Sequence, residues 1–137
     1  MPRIDSTGNL KGLLLVVDDE PFITEYMATA LRAEGYDVLI ASNAEEGWIL
    51  FRREGGRLRA VITEAVMPGG WDGLELARRV RAAAPQVPVL LVTAHRPPKP
   101  LGSGCVMLPK PFTAEALRCA VRRLVEPRPR LVAAGAS

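Results

Sequence analysis

The sequence predicts an α/β fold, a doubly wound five-stranded parallel sheet with helices on both faces. Short apolar runs recur along the 137 residues, and most are followed by a segment with helical hydrophobic spacing, which is the pattern of βα units. The first run, residues 13–17, is aliphatic throughout, as expected for a strand buried on both faces. We expect one domain over residues 12–126, with flexible termini at 1–11 and 127–137.

Turn and cap residues set the expected limits of the first elements. The first helix begins at Pro21, because proline is favourable at a first helical position, and it ends near Gly35. Its expected apolar face consists of Phe22, Ile23, Tyr26, Met27, Ala30 and Leu31. The remaining strands are expected at residues 36–40, 59–63, 87–93 and 105–108.

Capping patterns mark the later helices. Ser42 with Glu45 and Asp72 with Glu75 each fit a capping box, and Thr113 caps the last helix. The expected buried positions are Trp48, Phe51, Leu74, Ala77, Val80, Ala84, Leu117, Ala120, Val121 and Leu124, with Phe112 packed against Leu117. Residues 94–104 contain three prolines and two glycines, so the fourth helix of the alternation is expected to be short or missing.

Composition narrows the function class. The net charge is only +3 and the basic residues are scattered, which does not favour nucleic-acid binding, and the small cluster Arg52, Arg53, Arg57 and Arg59 is interpreted as a solvated face. No apolar run of about 18 residues and no signal sequence are present, so we expect a cytoplasmic protein without membrane contact. Cys105 and Cys119 lack disulfide or zinc spacing and are interpreted as buried packing residues.

Polar residues follow or end four of the five expected strands. They are Asp18 and Asp19 after the first strand, Glu64 after the third, Thr93 at the end of the fourth and Lys110 after the fifth. In parallel sheets the carboxyl ends of the strands form the ligand crevice. Carboxylates bind Mg²⁺, a lysine neutralises phosphate oxygens and a hydroxyl donates to them, so this set is typical of phosphoryl chemistry.

Over residues 12–126 the chain resembles the receiver domains of two-component response regulators. The resemblance rests on VVDDE at 16–20, EAVMP at 64–68 with Asp72-Gly73, VTA at 92–94 and LPKPF at 108–112. Each motif is weak alone, but their order and placement on alternate strand ends make the joint match specific. The resemblance implies a flavodoxin-like (βα)5 fold with strand order 2-1-3-4-5.

The resemblance also implies roles for these residues. Asp18 and Asp19 would be the metal-binding acid pair, and the backbone carbonyl of Val66 would be a further ligand of Mg²⁺. Thr93 would be the switch hydroxyl, and Lys110 would contact the phosphoryl group. The implied partners are a histidine kinase, a phosphotransfer protein or another regulator.

Three departures from the family pattern shape the functional hypothesis. Glu64 stands where the family has the phosphate-accepting aspartate, and its extra methylene moves the carboxylate by roughly 1.5 Å. A misplacement of about 1 Å can lower a rate on the order of 10²-fold, so ordinary phosphorylation is not expected. Met107 replaces the usual aromatic switch residue, and the proline-rich segment after Thr93 replaces the fourth helix.

Electrostatics gives a hypothesis for the resting site. Three nearby carboxylates cannot all stay charged without cations, so we expect Glu64 to pair with Lys110 and to weaken Mg²⁺ binding at Asp18 and Asp19. Glu64 could imitate the phosphorylated state or be inert, and the sequence leaves both readings open. Trp71 fits a partner contact or local packing equally well, and His95, the only histidine, is interpreted as a solvated loop residue.

The leading functional hypothesis is a stand-alone atypical receiver that is not an enzyme and acts by phosphorylation-independent protein contacts. The alternative is a conventional receiver that takes phosphate from a histidine kinase or phosphotransfer protein. A second alternative is a flavodoxin-like small-ligand binder, and the lack of a glycine-rich phosphate loop counts against it. The partner and the oligomeric state stay open.

Overall fold

Strands and helices alternate along the chain in the computed structural model, which describes residues 11–94 and 102–126. The elements, numbered in chain order, are β1 (Leu13–Val17), α1 (Pro21–Ala33), β2 (Asp37–Ala41), α2 (Ala44–Glu54), a 3₁₀ turn (Gly55–Arg57), β3 (Leu58–Glu64), α3 (Gly73–Ala83), β4 (Val89–Thr93), β5 (Cys105–Pro109) and α4 (Ala114–Val125). The strand boundaries differ from the predicted ones by at most two residues.

The five strands form one parallel sheet in the order β2-β1-β3-β4-β5. Side chains alternate between the two faces of a strand. Leu15 and Val17 of β1 therefore join a core cluster with α2 and α3, whereas Leu14 and Val16 join a second cluster with α1 and α4. Burial on both faces explains the unbroken aliphatic run, and the predicted doubly wound sheet is confirmed.

Some predictions fall on residues outside this description. They concern the termini at residues 1–10 and 127–137, the solvation of His95 and the conformation of residues 95–101. Lys11 is the one residue of the predicted flexible termini that the structure describes. In the described residues between β4 and β5 there is no helix, and Gly102 leads into a turn before the strand. This arrangement agrees with a fourth helix that is short or missing.

The predicted apolar face of α1 is partly wrong. Phe22 and Tyr26 are 89% and 45% exposed, whereas Thr24 and Ala28 are buried. Thr24 can be buried because its hydroxyl donates to the carbonyl oxygen of Pro21 at 3.0 Å, which satisfies its polar group within the helix. The face toward the sheet is thus rotated away from Phe22, and the apolar spacing alone did not indicate this.

The predicted cap of α2 is displaced by one residue. Asn43, rather than Ser42, caps the helix, since its side-chain oxygen accepts a hydrogen bond from the backbone N–H of Glu46 at 2.7 Å. The carboxylate of Glu46, rather than that of Glu45, accepts from the backbone N–H of Ser42 at 2.8 Å. Asparagine caps helices as well as serine does, so both positions were competent.

In α3 the predicted cap is confirmed and the buried stripe needs one correction. Asp72 accepts from the backbone N–H of Glu75 at 2.9 Å. Leu76 is fully buried and was missed, whereas Leu74 is only partly buried.

Thr113 caps α4 as predicted. Of the other expected core positions, Phe51, Ala77, Val80, Ala84, Leu117 and Val121 are buried, and Trp48, Phe112, Ala120 and Leu124 are partly buried.

The cysteines are free thiols, and the prediction that both are buried packing residues is only partly correct. Cys105 and Cys119 are each partly buried, and Cys105 packs against the core cluster of α2 and α3. Cys119 lies on the outer side of α4, where its thiol donates to the Glu115 carboxylate at 3.4 Å, so it does not contribute to a core. In the described part of the chain no helix is long and apolar enough to cross a membrane.

Candidate functional site

Side chains from three strand ends meet at the carboxyl edge of the sheet. Asp18 directly follows β1, Glu64 ends β3 and Lys110 directly follows β5. The Lys110 Nζ atom lies 2.6 Å from Glu64 Oε1 and 3.2 Å from Asp18 Oδ2. The predicted pairing of Glu64 with Lys110 is therefore present, and Lys110 is shared between two acids.

Backbone amides hold the second oxygen of each acid. Glu64 Oε2 accepts from the N–H of Val66 at 3.0 Å, and Asp18 Oδ1 accepts from the N–H of Glu20 at 3.0 Å. Each carboxylate is thus held at both oxygens, by one amide and by Lys110. The sequence reasoning considered only the carbonyl of Val66 and missed these amide contacts, for which the only signal was the short chain distance.

Burial sets the charge balance of the site. Asp18 and Glu64 are 1% and 7% exposed, and the Lys110 side chain is 19% exposed. Burial raises the pKa of Asp18, against the opposing effects of the Glu20 amide and of Lys110. Burial lowers the pKa of Lys110, but the hydrogen bond to Glu64 and the charge of Asp18 outweigh it, so the Lys110 pKa is raised.

Thr93 and Met107 lie on β4 and β5, the two strands next to Lys110. Thr93 is 2% exposed at the end of β4, and its carbonyl oxygen accepts from the backbone N–H of Lys110 at 2.9 Å. Met107 is half-buried on β5. The switch role of Thr93 and the filling role of Met107 stay predictions.

The acids that could hold a metal ion are already engaged with Lys110 and backbone amides. Asp19 is exposed, and the part of the chain that the structure describes holds no group of three or more Asp, Glu, His or Cys residues placed to bind a metal. Each oxygen of Asp18 and Glu64 accepts from a backbone N–H or from the Lys110 ammonium, so a Mg²⁺ ion would have to compete with Lys110 for these carboxylates.

Trp71, for which two readings were open, is packed locally in the loop between β3 and α3. The centroid of its ring lies 6.3 Å from that of the Trp48 ring. The guanidinium carbon of Arg79 lies 3.9 Å from the centroid of the Trp71 ring. The backbone N–H of Trp71 donates to a Glu45 carboxylate oxygen at 2.8 Å. These contacts tie the loop that carries Val66 to α2, a role for Glu45 that the sequence reasoning missed.

Comparisons with known proteins identify the family of this chain. The family described as "Response regulator receiver domain" matches residues 14–122. The chain is 32% identical over 130 residues to the transcriptional regulatory protein TrcR of Mycobacterium tuberculosis, covering 91% of this chain and 49% of that protein. It is 37% identical over 117 residues to the uncharacterized transcriptional regulatory protein YkoG of Bacillus subtilis, covering 82% and 50%.

A solved structure extends the likeness to the fold. The receiver domain from the hybrid histidine kinase CckA has a TM-score of 0.74 and 30% identity, covering 84% of this chain and all of that domain. The chain spans about half the length of the curated relatives it matches. The strand order, the joined acid and lysine side chains and the family match over most of the sequence together establish that this chain belongs to the response regulator receiver domain family.

Proposed function

We propose that this chain is an atypical receiver of a bacterial two-component system that works without phosphorylation. We also propose that it is not an enzyme. It acts in the cytoplasm through contacts with a protein partner, namely a histidine kinase, a phosphotransfer protein or another regulator. The observation that carries the proposal is the ion pair between Glu64 Oε1 and Lys110 Nζ at 2.6 Å.

This ion pair opposes phosphoryl transfer to Glu64. An attacking carboxylate needs an oxygen free to approach phosphorus in line, and both oxygens of Glu64 already accept hydrogen bonds. The lysine that would neutralise an incoming phosphoryl group is committed to Glu64 and Asp18. Transfer would therefore have to break a buried ion pair first, which adds to the barrier.

The same contacts support a permanent signalling state. The Glu64 carboxylate places a fixed negative charge on Lys110, where the oxygens of a phosphoryl group would otherwise lie. The Lys110 backbone N–H donates to the carbonyl oxygen of Thr93, which joins the ends of β4 and β5 next to this pair. We propose that this arrangement mimics the phosphorylated state and presents one fixed surface to the partner.

The alternative function is that of a conventional phosphoacceptor. The retention of Lys110 and Thr93 beside the acids favours it, and Asp19 is an exposed carboxylate next to the cluster. In that case Glu64, Asp18 or Asp19 would accept the phosphate from a kinase. We propose no nucleic-acid partner, because the net charge is modest and the basic residues are scattered.

Fluoroberyllate, which binds aspartate as a phosphoryl mimic, tests the proposal. Amide NMR spectra of the natural protein should not change when fluoroberyllate and Mg²⁺ are added. A Glu64→Asp variant should shift at Thr93, Lys110 and their neighbours, because the shorter acid leaves Lys110 free to bind the mimic. Equal shifts in the natural protein would support the conventional receiver instead.

Weak Mg²⁺ binding is a second part of the proposal. Because Lys110 occupies an oxygen of Asp18 while Glu64 holds Lys110 in place, removing Glu64 should loosen Lys110 and open the acid pair. We expect Glu64→Ala to bind Mg²⁺ more tightly than the natural protein in a calorimetric titration. An unchanged affinity would contradict this part of the proposal.

A further inference from the structure

A cavity opens at the edge of the sheet opposite Asp18 and Lys110. It has a volume of about 420 Å³, and its walls include Leu58 at the start of β3 and Leu124 and Val125 at the end of α4. Its volume falls in the range of small-molecule sites in proteins, about 300–1,000 Å³, and most of its exposed lining is polar. Leu58 of the cavity and Glu64 of the Lys110 site lie at opposite ends of β3, which separates them by about 20 Å, since a strand rises about 3.3 Å per residue.

Two arginines supply the charge of this cavity. Arg59 and Arg81 both line it. Arg59 donates to the carbonyl oxygens of Lys11 and Val125 at 3.0 and 2.9 Å. These carbonyls hold the guanidinium in place, but a carbonyl oxygen does not neutralise its charge.

Arg81 is held in a similar way. It donates to the carbonyl oxygens of Ser103, Pro85 and Val87 at 2.9, 2.6 and 2.7 Å. Among the described residues, neither Arg81 nor Arg59 forms an ion pair. The nearby Arg53 and Arg57, by contrast, both pair with Glu54.

Each of the two guanidiniums has N–H groups that form no hydrogen bond with the described residues. A guanidinium has five N–H donors in a planar fork that matches phosphate and carboxylate oxygens. In the described residues the Nη2 group of Arg81 and the Nε group of Arg59 have no hydrogen-bond partner. Gln86, which also lines the cavity, adds an amide. Two immobilised positive charges with unused donors match an anion with about two negative charges, which a phosphomonoester has at neutral pH.

We propose that this cavity binds a small organic phosphate. Arg59 and Arg81 hold the phosphate group, and the side chains of Leu58, Leu124 and Val125 cover the organic part. The site is independent of Glu64, so it exists whether or not the Glu64–Lys110 pair silences phosphorylation.

Adenosine monophosphate, adenosine and inorganic phosphate are the probes for this site, followed by amide NMR on the full chain. We expect adenosine monophosphate to shift the amides of Leu58, Gln86 and Gly104 and to bind more tightly than either other probe. Arg59→Gln and Arg81→Gln should each weaken its binding about tenfold, because each removes a charged hydrogen-bond donor. If Arg81→Gln fails to fold, Arg59→Gln alone provides the test.

Arg52→Gln is the matched control, because Arg52 is an exposed arginine on α2 that does not line the cavity. It should leave the affinity unchanged. The proposal is overturned if adenosine monophosphate does not bind, if all three variants weaken binding equally, or if the shifts gather at Asp18 and Lys110. Equal affinity for inorganic phosphate would overturn the part that assigns an organic ligand.

Discussion

At the scale of single residues, Lys110 organises the whole site. Among the described residues it is the one cation that forms an ion pair with Asp18 and Glu64, and both acids are almost completely buried. A buried carboxylate needs a charged or hydrogen-bonding partner, because the free-energy cost of removing its charge from water is larger than most single interactions can offset. Lys110 therefore has a structural role here in addition to the phosphate-binding role that the family resemblance implies.

The first prediction concerns this structural role. Lys110→Met should lower the free energy of unfolding at neutral pH by roughly 3–5 kcal/mol, because it leaves two buried acids without a counter-charge. Lys11→Met is the matched control, since Lys11 lies 3.8 Å from Glu34 at the surface and such pairs contribute about 0–1 kcal/mol. Urea unfolding measures both. Equal effects of the two substitutions would contradict the role of Lys110.

The same variant has a defined pH dependence. The folded-state pKa of Asp18 is raised above 3.8, so its protonation favours folding at low pH and this stabilisation is lost as pH rises through the folded pKa. Lys110→Met removes an effect that lowers the Asp18 pKa. The difference in unfolding free energy between the natural protein and this variant should therefore shrink as the pH falls toward 4. The Lys110 pKa is raised above 10.5, so the natural protein should lose stability through that folded pKa, and the variant should lack this loss. Parallel curves for the two proteins would contradict this.

At the scale of elements, the approach of α3 to β3 fixes the position of Glu64. Gly73, the first residue of α3, donates its backbone N–H to Ala65 at 2.9 Å. A Cβ atom at Gly73 would lie 1.7 Å from the carbonyl oxygen of Glu64 and 2.9 Å from Thr63 Oγ1. A glycine is therefore required by close approach of the backbone, and the helix start acts as a support for the strand end that carries Glu64.

The second prediction follows from this contact. Gly73→Ala should lower the free energy of unfolding by about 1–3 kcal/mol, because the added methyl group pushes α3 away from β3. It should also disturb the amide NMR signals of Glu64 and Val66. Gly102→Ala is the control, because no atom of the described residues beyond its chain neighbours lies within 4 Å of its Cβ position, and it should change stability by less than about 0.5 kcal/mol. A stable, unperturbed Gly73→Ala protein would show that the approach is not tight.

At the scale of the whole molecule, the sheet separates two hydrophobic clusters and joins them through its backbone. Leu90 and Leu91 are adjacent on β4 and both are fully buried, yet they belong to opposite clusters. Neither layer of helices can stay packed if the sheet between them is lost. The two clusters should therefore behave as one cooperative unit, as expected for a single domain.

The third prediction tests that cooperativity. Leu90→Ala and Leu91→Ala should each lower the free energy of unfolding by about 2–5 kcal/mol, since each leaves a cavity in a close-packed cluster. In both variants, loss of helix and loss of tertiary structure should coincide in one transition during urea unfolding. Two separate transitions in either variant would show that the layers unfold independently.

Much of the fold and part of the site could be predicted from the sequence. The aliphatic run of β1 and the polar residues at strand ends indicated the sheet and the meeting of Asp18, Glu64 and Lys110, because both follow from local periodicity and chain order. The exposure of Phe22 could not be predicted, since it depends on which side of α1 faces the sheet. The amide of Val66 was missed because it depends on the rotamer of Glu64.

The most direct test of the central claim is the intact mass after incubation with a small acyl-phosphate donor and Mg²⁺. The natural protein and a Glu64→Asp variant are prepared identically and compared. We expect only the aspartate variant to gain the mass of a phosphate, because in the natural protein the Glu64 carboxylate occupies the position beside Lys110 that a phosphoryl group requires. Phosphate gained by the natural protein would contradict the account and identify the chain as a working phosphoacceptor.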